Sequence, residues 1–291
     1  MRGILLAGGS GTRLHPITAV SSKQLLPVYD KPMVYYPLSV LMLAEIREIL
    51  IISNPEHIEN YRDLLGDGSR LGLRLSYAVQ DQPRGLADAL RIGRDFIGDE
   101  QFALILGDNI FYGNALTETL RRERARLDGC TLFGYRVADP ERYGVATIDD
   151  AGRVTSLEEK PPAPRSNLAV TGMYFYDNEA ADLATRLKPS PRGELEITDL
   201  NRIFVERNKA RLIDLGRGCA WFDTGTHESL MDAALFVQVL AKRQGIRLAC
   251  IEEVAFRMGF IDEDQLASLG KEFVANSASG YGHYLMDLAG T

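Results

Sequence analysis

The chain has 291 residues, 45% of them hydrophobic, and a formal net charge of −7. That length can bury a full core near the upper limit for one cooperative domain, and the acidic balance argues against a general nucleic-acid binder, which is usually basic. No apolar run approaches the roughly 18 residues that span a bilayer. The three scattered cysteines, Cys130, Cys219 and Cys250, lack CxxC spacing and read as buried thiols in a reducing cytosol rather than as a zinc site or disulfide framework.

The first element is a short apolar run over residues 3–6, stopped by glycines. A signal peptide needs a longer apolar region and a cleavage site, so this reads as a central parallel strand. Residues 38–46 read as a helix. Residues 49–53 (ILIIS) are a continuous apolar run, as expected for a strand covered on both faces. A helix over 57–65, a strand over 73–79 and helical spacing over 85–96 follow. Residues 102–106 (FALIL) form a third buried strand, ended by Gly107-Asp108. A charged helix over 115–126 leads to a strand over 131–137. This alternation predicts an α/β fold with a Rossmann-like, mostly parallel, doubly wound mixed sheet.

The pattern changes after Pro140. Strands over 145–148 and 154–158 flank Asp149-Asp150-Ala151-Gly152, a hairpin signal, and 170–176 is another strand. Helices near 177–187 and 199–207 come next, then strands over 210–215 and 219–223. Residues 228–244, 262–273 and 281–288 read as helices. No repeat, low-complexity segment or linker interrupts the chain. It reads as one unit, 1–291, with an α/β core over 1–225 and a small, mainly helical appendage over 226–291.

The densest chemical signal is the stretch from Leu6 to Leu14, LAGGSGTRL, directly after the first strand. Glycines there let backbone N–H groups approach phosphate oxygens, because no Cβ intervenes. Arg13 and Lys23 add cations, one a planar fork and the other a point charge. An acidic protein that binds a triphosphate needs such a local concentration of positive charge. A P-loop would need GxxxxGK[ST], and a dinucleotide fingerprint would need glycine or alanine where Leu14 stands. By itself the loop reads equally as a tight strand-to-helix turn.

Asp108 follows a buried strand and so lies at the carboxyl edge of the sheet, where open α/β sheets bind ligands. Asp223 follows the apolar Cys219-Ala220-Trp221-Phe222 and reaches a similar edge. Mg²⁺ prefers hard oxygen donors and is held by one or two carboxylates plus substrate phosphates. Two aspartates at strand ends fit that role, although each taken alone reads more readily as an ordinary surface or turn residue.

The run Gly8 to Pro16, followed by Ser22 to Val28 (SKQLLPV) and on to Met33, resembles the signature of the sugar-nucleotide pyrophosphorylases, in the form found in their thymidylyl-transferring branch. Further matching stretches include 66–69 (GDGS), 85–87 (GLA), 106–113, 142–145 (RYGV), 158–161 (EEKP), 193–199 (GELEITD) and 220–225. The resemblance covers nearly the whole chain. It implies the nucleotide-diphospho-sugar transferase type of fold and an enzyme that joins dTTP to glucose 1-phosphate, making dTDP-glucose and pyrophosphate, the first step toward dTDP-sugars. The sugar phosphate is already an anion and can itself be the nucleophile, so no Ser-His or Cys-His dyad is needed; the protein must align two anions and screen their repulsion.

Carried onto this chain, the resemblance implies a catalytic set of Arg13, Lys23, Asp108, Lys160 and Asp223, with Mg²⁺ on Asp108 and Asp223. The nucleotide contacts it implies are Leu6, Gly8, Gly9, Gly11, Thr12, Arg13, Gln24, Gln80, Gly85 and Asp108, with Gln80 and Gly85 reading the thymine edge. The sugar phosphate maps to Asn109, Tyr143, Gly144, Glu158, Lys160, Val170, Tyr174, Arg192 and Trp221. A second nucleotide site, for feedback by a downstream dTDP-sugar, maps to Tyr112, Gly113, Arg217, Gly218, Cys250 and Glu253, whose plainer reading is interface packing. A cytoplasmic homotetramer, built as a dimer of dimers without nucleic-acid or membrane partners, is also implied. Departures from the family pattern stand at Leu71, Asn114 and 81–84 (DQPR). The competing readings are a UTP-preferring or other-hexose pyrophosphorylase, a non-catalytic nucleotide-sugar sensor, and a Rossmann oxidoreductase, which Leu14 disfavours.

Overall fold

The structure is a computed structural model that describes residues 1–9 and 11–290. Ser10 of the glycine loop lies outside the described residues. The strands are β1 (Arg2–Leu6), β2 (Pro27–Val28), β3 (Lys31–Pro32), β4 (Glu48–Ser53), β5 (Arg74–Val79), β6 (Phe102–Leu106), β7 (Ile110–Gly113), β8 (Cys130–Arg136), β9 (Gly144–Ile148), β10 (Val154–Glu159), β11 (Leu168–Tyr176), β12 (Ala210–Asp214) and β13 (Cys219–Phe222).

The central sheet runs β10-β9-β11-β6-β1-β4-β5, and β8 joins β11 to β12. Strands β6, β1, β4 and β5 are mutually parallel. β11 runs antiparallel to β6, β8 and β9, so the sheet is mixed. The apolar runs form strands because both faces are covered: Leu5, Ile49, Ile51 and Ile105 pack on one side, Ile4, Leu50, Ile52 and Leu104 on the other. The C-terminal helices Ile251–Arg257, Glu263–Asn276 and Tyr281–Leu288 contribute Ile251, Leu266 and Leu285 to the first of these cores. Helix His227–Gln244 begins at a reciprocal cap between Thr226 and Ser229.

Several expectations are adjusted. The helical spacing over 85–96 resolves into two short helices, Asp88–Ile92 and Arg94–Ile97, which break at Gly93, the C-cap of the first and the N-cap of the second. The sequence does not mark β7 or the helix Ile251–Arg257, because both are too short to show a periodicity. Cys130 and Cys250 are buried, but Cys219 is only half-buried, because it sits on a two-stranded ribbon rather than in the central sheet. Among the described residues no helix is long and apolar enough to cross a membrane.

The parallel strands set the geometry that follows. Their carboxyl ends, Leu6, Ser53, Val79 and Leu106, deliver Gly8, Asn54, Gln80 and Asp108 to one edge. The β7–β13 ribbon stands beside that edge. It pairs Ile110 with Phe222, so Asp108-Asn109 and Asp223 emerge at the same end.

Candidate active site

The glycine turn lines a cavity of about 250 Å³ with Gly8, Gly9, Gly11, Thr12, Arg13, Lys23, Gln24 and Asp108. Gly9 has φ 116° and Gly11 has φ 57°, conformations that disfavour a side chain; a Cβ on Gly11 would also lie 2.9 Å from Thr18. Buried Gln24 shapes the turn from below: its Nε2 donates to the Gly8 carbonyl (3.1 Å) and its Oε1 accepts from Ser22 (2.7 Å). Arg13 is exposed, with no ion pair among the described residues. Its guanidinium reaches toward Gly225 and lines the neighbouring cavity as well.

A second cavity, about 420 Å³, shares Gly9 and Lys23 with the first and includes Gln80, Asn54 and His57. Gln80 is buried and donates to Asp88 (3.0 Å) and, at 3.5 Å, to the Gly85 carbonyl. Its Oε1 is left facing Gly8, where an added Cβ would lie 3.3 Å away. Gly85 itself is fixed by packing: with φ 103°, a side chain would strike the Leu195 carbonyl at 2.5 Å. Leu6 is buried under the turn, and its carbonyl accepts from Gly107 (2.8 Å), so it supports the loop rather than lining either cavity.

A third cavity, about 440 Å³, shares Arg13 and Asp108 with the first. The three therefore form one cleft, bending at Arg13, Lys23 and Asp108. The third is walled by Asn109, Tyr143, Gly144, Val170, Tyr174 and Trp221, with Lys160, Arg192 and Asp223 at its rim. Tyr143 and Trp221 pack ring to ring at 5.2 Å. Burial, helped by the nearby Asp223, pushes the Tyr143 phenol up to about 12, so it stays a neutral donor. Lys160 adopts φ 42°, and its N–H donates to the Tyr143 carbonyl (3.0 Å), which turns the side chain off the end of β10. Arg192 forms a bidentate pair with Glu196, Nε donating to Oε1 (3.2 Å) and Nη2 to Oε2 (2.9 Å), which raises the guanidinium's already high pKa.

Glu158 is a correction. Strand residues alternate faces, and the cavity takes Leu157 and Glu159, not Glu158. The Glu158 carboxylate instead faces Arg165 at 3.4 Å. Glu159 accepts a 2.5 Å hydrogen bond from Thr198 and lies 3.7 Å from both Lys160 and Arg192. Thr198 and Arg142 were also missed as site residues. Arg142 reaches Asp223 (3.6 Å) and stands 5.4 Å over the Tyr143 ring. The motif RYGV held Arg142 in view, but nothing in it told which of its side chains faces the cleft.

At the bend, the buried Lys23 ammonium lies 2.7 Å from Asp108 Oδ2 and 3.4 Å from the Asp223 carbonyl. Thr224 donates to the Asp108 carbonyl (2.7 Å) and locks the two strand ends together. The ammonium thus bridges the Asp108 carboxylate and the Asp223 backbone carbonyl, while the Asp223 carboxylate faces Arg142. Two carboxylates and a carbonyl are hard oxygen donors of the kind Mg²⁺ takes, so the residues fit such an ion. Of the remaining predicted positions, Tyr112-Gly113 pairs with Cys219-Ala220 at the far end of the ribbon, next to Arg217-Gly218. Cys250 and Glu253 belong to a separate cluster with Glu252, Tyr281 and Tyr284.

A family model for nucleotidyl transferases matches residues 2–239. The chain is 59% identical over 288 residues to the glucose-1-phosphate thymidylyltransferase of Xanthomonas campestris pv. campestris, covering 99% of this chain and 97% of that one. It is 55% identical to the Neisseria meningitidis protein of the same name, covering 99% of each. Among solved structures, a UDP-glucose pyrophosphorylase complexed with UDP-glucose superimposes with TM-score 0.71 at 27% identity, over 83% of this chain and 99% of that one. The bent cleft on the carboxyl edge of the sheet and these full-length likenesses lead to one conclusion: the chain belongs to the nucleotidyl transferase family.

Proposed function

We propose that this chain transfers a thymidylyl group from dTTP to glucose 1-phosphate, yielding dTDP-glucose and pyrophosphate. The observation that carries the reading is the junction itself: a glycine cradle and a neighbouring cavity of about 440 Å³ share Arg13 and Asp108, with Lys23 on the cradle side and Asp223 on the other. The 49–59% identical relatives that share this name support the choice of substrates.

The family implies a divalent metal; Mg²⁺ on Asp108 and Asp223 is the proposed ion. When bound, it neutralises nucleotide oxygens at the attacked phosphorus. Backbone N–H groups of Gly9, Gly11 and Thr12 hold the leaving phosphates, with Arg13 drawing off their charge. Lys23 turns from Asp108 to the α-phosphate once the nucleotide arrives. Gln80 and Gly85 flank the base. Glu159 accepts from sugar hydroxyls, Tyr143 and Trp221 wall the ring, and Lys160 holds the sugar phosphate. A phosphate oxygen then forms the new bond to the α-phosphorus as the bond to the pyrophosphate oxygen breaks on the opposite side. Rate enhancement comes from alignment and charge screening.

Incubation with dTTP, glucose 1-phosphate and Mg²⁺ should release pyrophosphate and form dTDP-glucose. Folded protein that releases none would overturn the reading. Parallel assays with UTP and other hexose 1-phosphates measure selectivity.

We further propose a single unit with the core at 1–225 and the appendage at 226–291, acting in the cytoplasm as a homotetramer. Met231, Leu235 and Val239 form an exposed apolar stripe along helix His227–Gln244, which supports self-association. Sedimentation that finds only monomer would refute it. Feedback by a downstream dTDP-sugar is assigned to Tyr112-Gly113, Arg217-Gly218, Cys250 and Glu253; Arg217→Ala should relieve that inhibition and spare turnover.

A further inference from the structure

Gln80 is assigned to the base of the nucleotide, and its neighbours dictate which end of its amide meets that base. The residue is 7% exposed. Its Nε2 donates to Asp88 Oδ2 (3.0 Å) and, at 3.5 Å, to the Gly85 carbonyl. A carboxylate and a carbonyl can only accept, so the NH2 end of the amide faces them and the C=O end faces the other way. Oε1 lies over the glycine turn, 3.3 Å from where a Cβ on Gly8 would stand. It has no partner among the described residues. Among those residues only Asp177 carries a fully sealed, unpaired side-chain oxygen, so Gln80 Oε1 is open to the second cavity, which Gln80 lines.

Asp88 is itself held. It opens helix Asp88–Ile92 and is 4% exposed, and its other oxygen, Oδ1, lies 3.5 Å from the Arg91 guanidinium one turn on. The backbone before it is fixed as well: the Ala87 N–H donates to the Leu195 carbonyl (3.1 Å), and Gly85 packs on the same residue. Turning the Gln80 amide over would set Oε1 against two acceptors, a loss on the scale of one or two buried hydrogen bonds.

An acceptor aimed into a base site selects by hydrogen-bond polarity. The imide of thymine or uracil presents N3–H, a donor, where cytosine presents a bare N3 lone pair. The first pairs with Oε1 and the second is repelled, so a buried polar group is left unmatched. We propose that Asp88 is a positioning residue that sets nucleotide specificity: it holds the Gln80 amide with its carbonyl toward the base, so that the site takes imide bases and rejects cytosine. The proposal rests on the nucleotide role proposed for Gln80.

Asp88→Asn keeps the shape and removes the constraint, because its own amide can donate to Oε1 of a reversed Gln80. Dissociation constants of dTTP, dUTP and dCTP can be measured by calorimetry on the full chain with Mg²⁺. The preference for dTTP over dCTP should fall about tenfold or more in the variant, the scale of one unmatched buried hydrogen-bonding group. The ratio of dTTP to dUTP, both imides, should move by less than about twofold. An unchanged dTTP-to-dCTP ratio in folded Asp88→Asn would overturn the proposal, as would two ratios that fall together, the mark of a loosened pocket. If Asp88→Asn does not fold, Asp88→Ser, whose hydroxyl both donates and accepts, is read in the same way. A wild-type chain that binds dTTP no better than dCTP also overturns it. A wild-type chain that selects dTTP but releases no pyrophosphate with glucose 1-phosphate sinks the proposed reaction and leaves the role of Asp88 standing.

Discussion

The two arms of the cleft are built on different principles. The arm proposed for the nucleotide is assembled from residues near one another in the chain, at the ends of parallel strands, and its wall is largely the glycine turn. The sugar arm gathers side chains from β9, β10, β11, β13 and the loop at Arg192, most of them on antiparallel elements. Contiguous backbone chemistry leaves a dense signature; dispersed side-chain chemistry depends on which face each strand residue takes.

The largest expected effect lies where the arms meet. Lys23→Met should lower kcat/KM for dTTP by about 10²- to 10³-fold, the usual cost of losing one preorganised charge at the reacting centre. A steady-state assay checks this, with a melting curve to show the fold intact. A loss under tenfold would separate Lys23 from the chemistry. Next, Glu159→Gln should raise the KM for glucose 1-phosphate roughly tenfold, because a charged acceptor is lost. Glu158→Gln should change it by less than about twofold. If the two variants exchanged effects, the strand register would be wrong at the point where it matters most.

The same contrast explains what could be read in the sequence. LAGGSGTRL, ILIIS and FALIL each combine composition with position, so the parallel half of the sheet and the cradle were both legible. Asp108 and Asp223 could be named from strand ends. Glu158 could not be told from Glu159, since period-two alternation needs a fixed register and the register is set by β9. Thr198 and Arg142 lie within the matched stretches GELEITD and RYGV, but their roles come from contacts to Glu159 and Asp223, distant in sequence. Gln24 both lines the cradle and braces it through Gly8 and Ser22, whereas Leu6 lies one layer below, with its carbonyl held by Gly107.

The C-terminal helices form a third region, which titration can probe separately. Glu252 is buried beside Tyr281 (2.6 Å) and Cys250 (3.5 Å), and desolvation raises its pKa. A carboxyl with a raised folded-state pKa binds its proton more tightly in the folded chain. Its contribution is full below the unfolded pKa and is lost as pH rises through the folded value. Glu252→Gln should therefore flatten the fall of melting temperature with rising pH by a few degrees, leaving kcat unchanged. An equally steep fall in the variant would remove Glu252 as its source.

The most direct test of the account is a crystal structure with dTTP, Mn²⁺ and an unreactive glucose 1-phosphate analogue. An anomalous peak between the carboxylates of Asp108 and Asp223, with the triphosphate on the glycine turn and the sugar against Glu159, is the predicted result. A metal peak touching neither aspartate, or phosphates lying outside the turn, would contradict it.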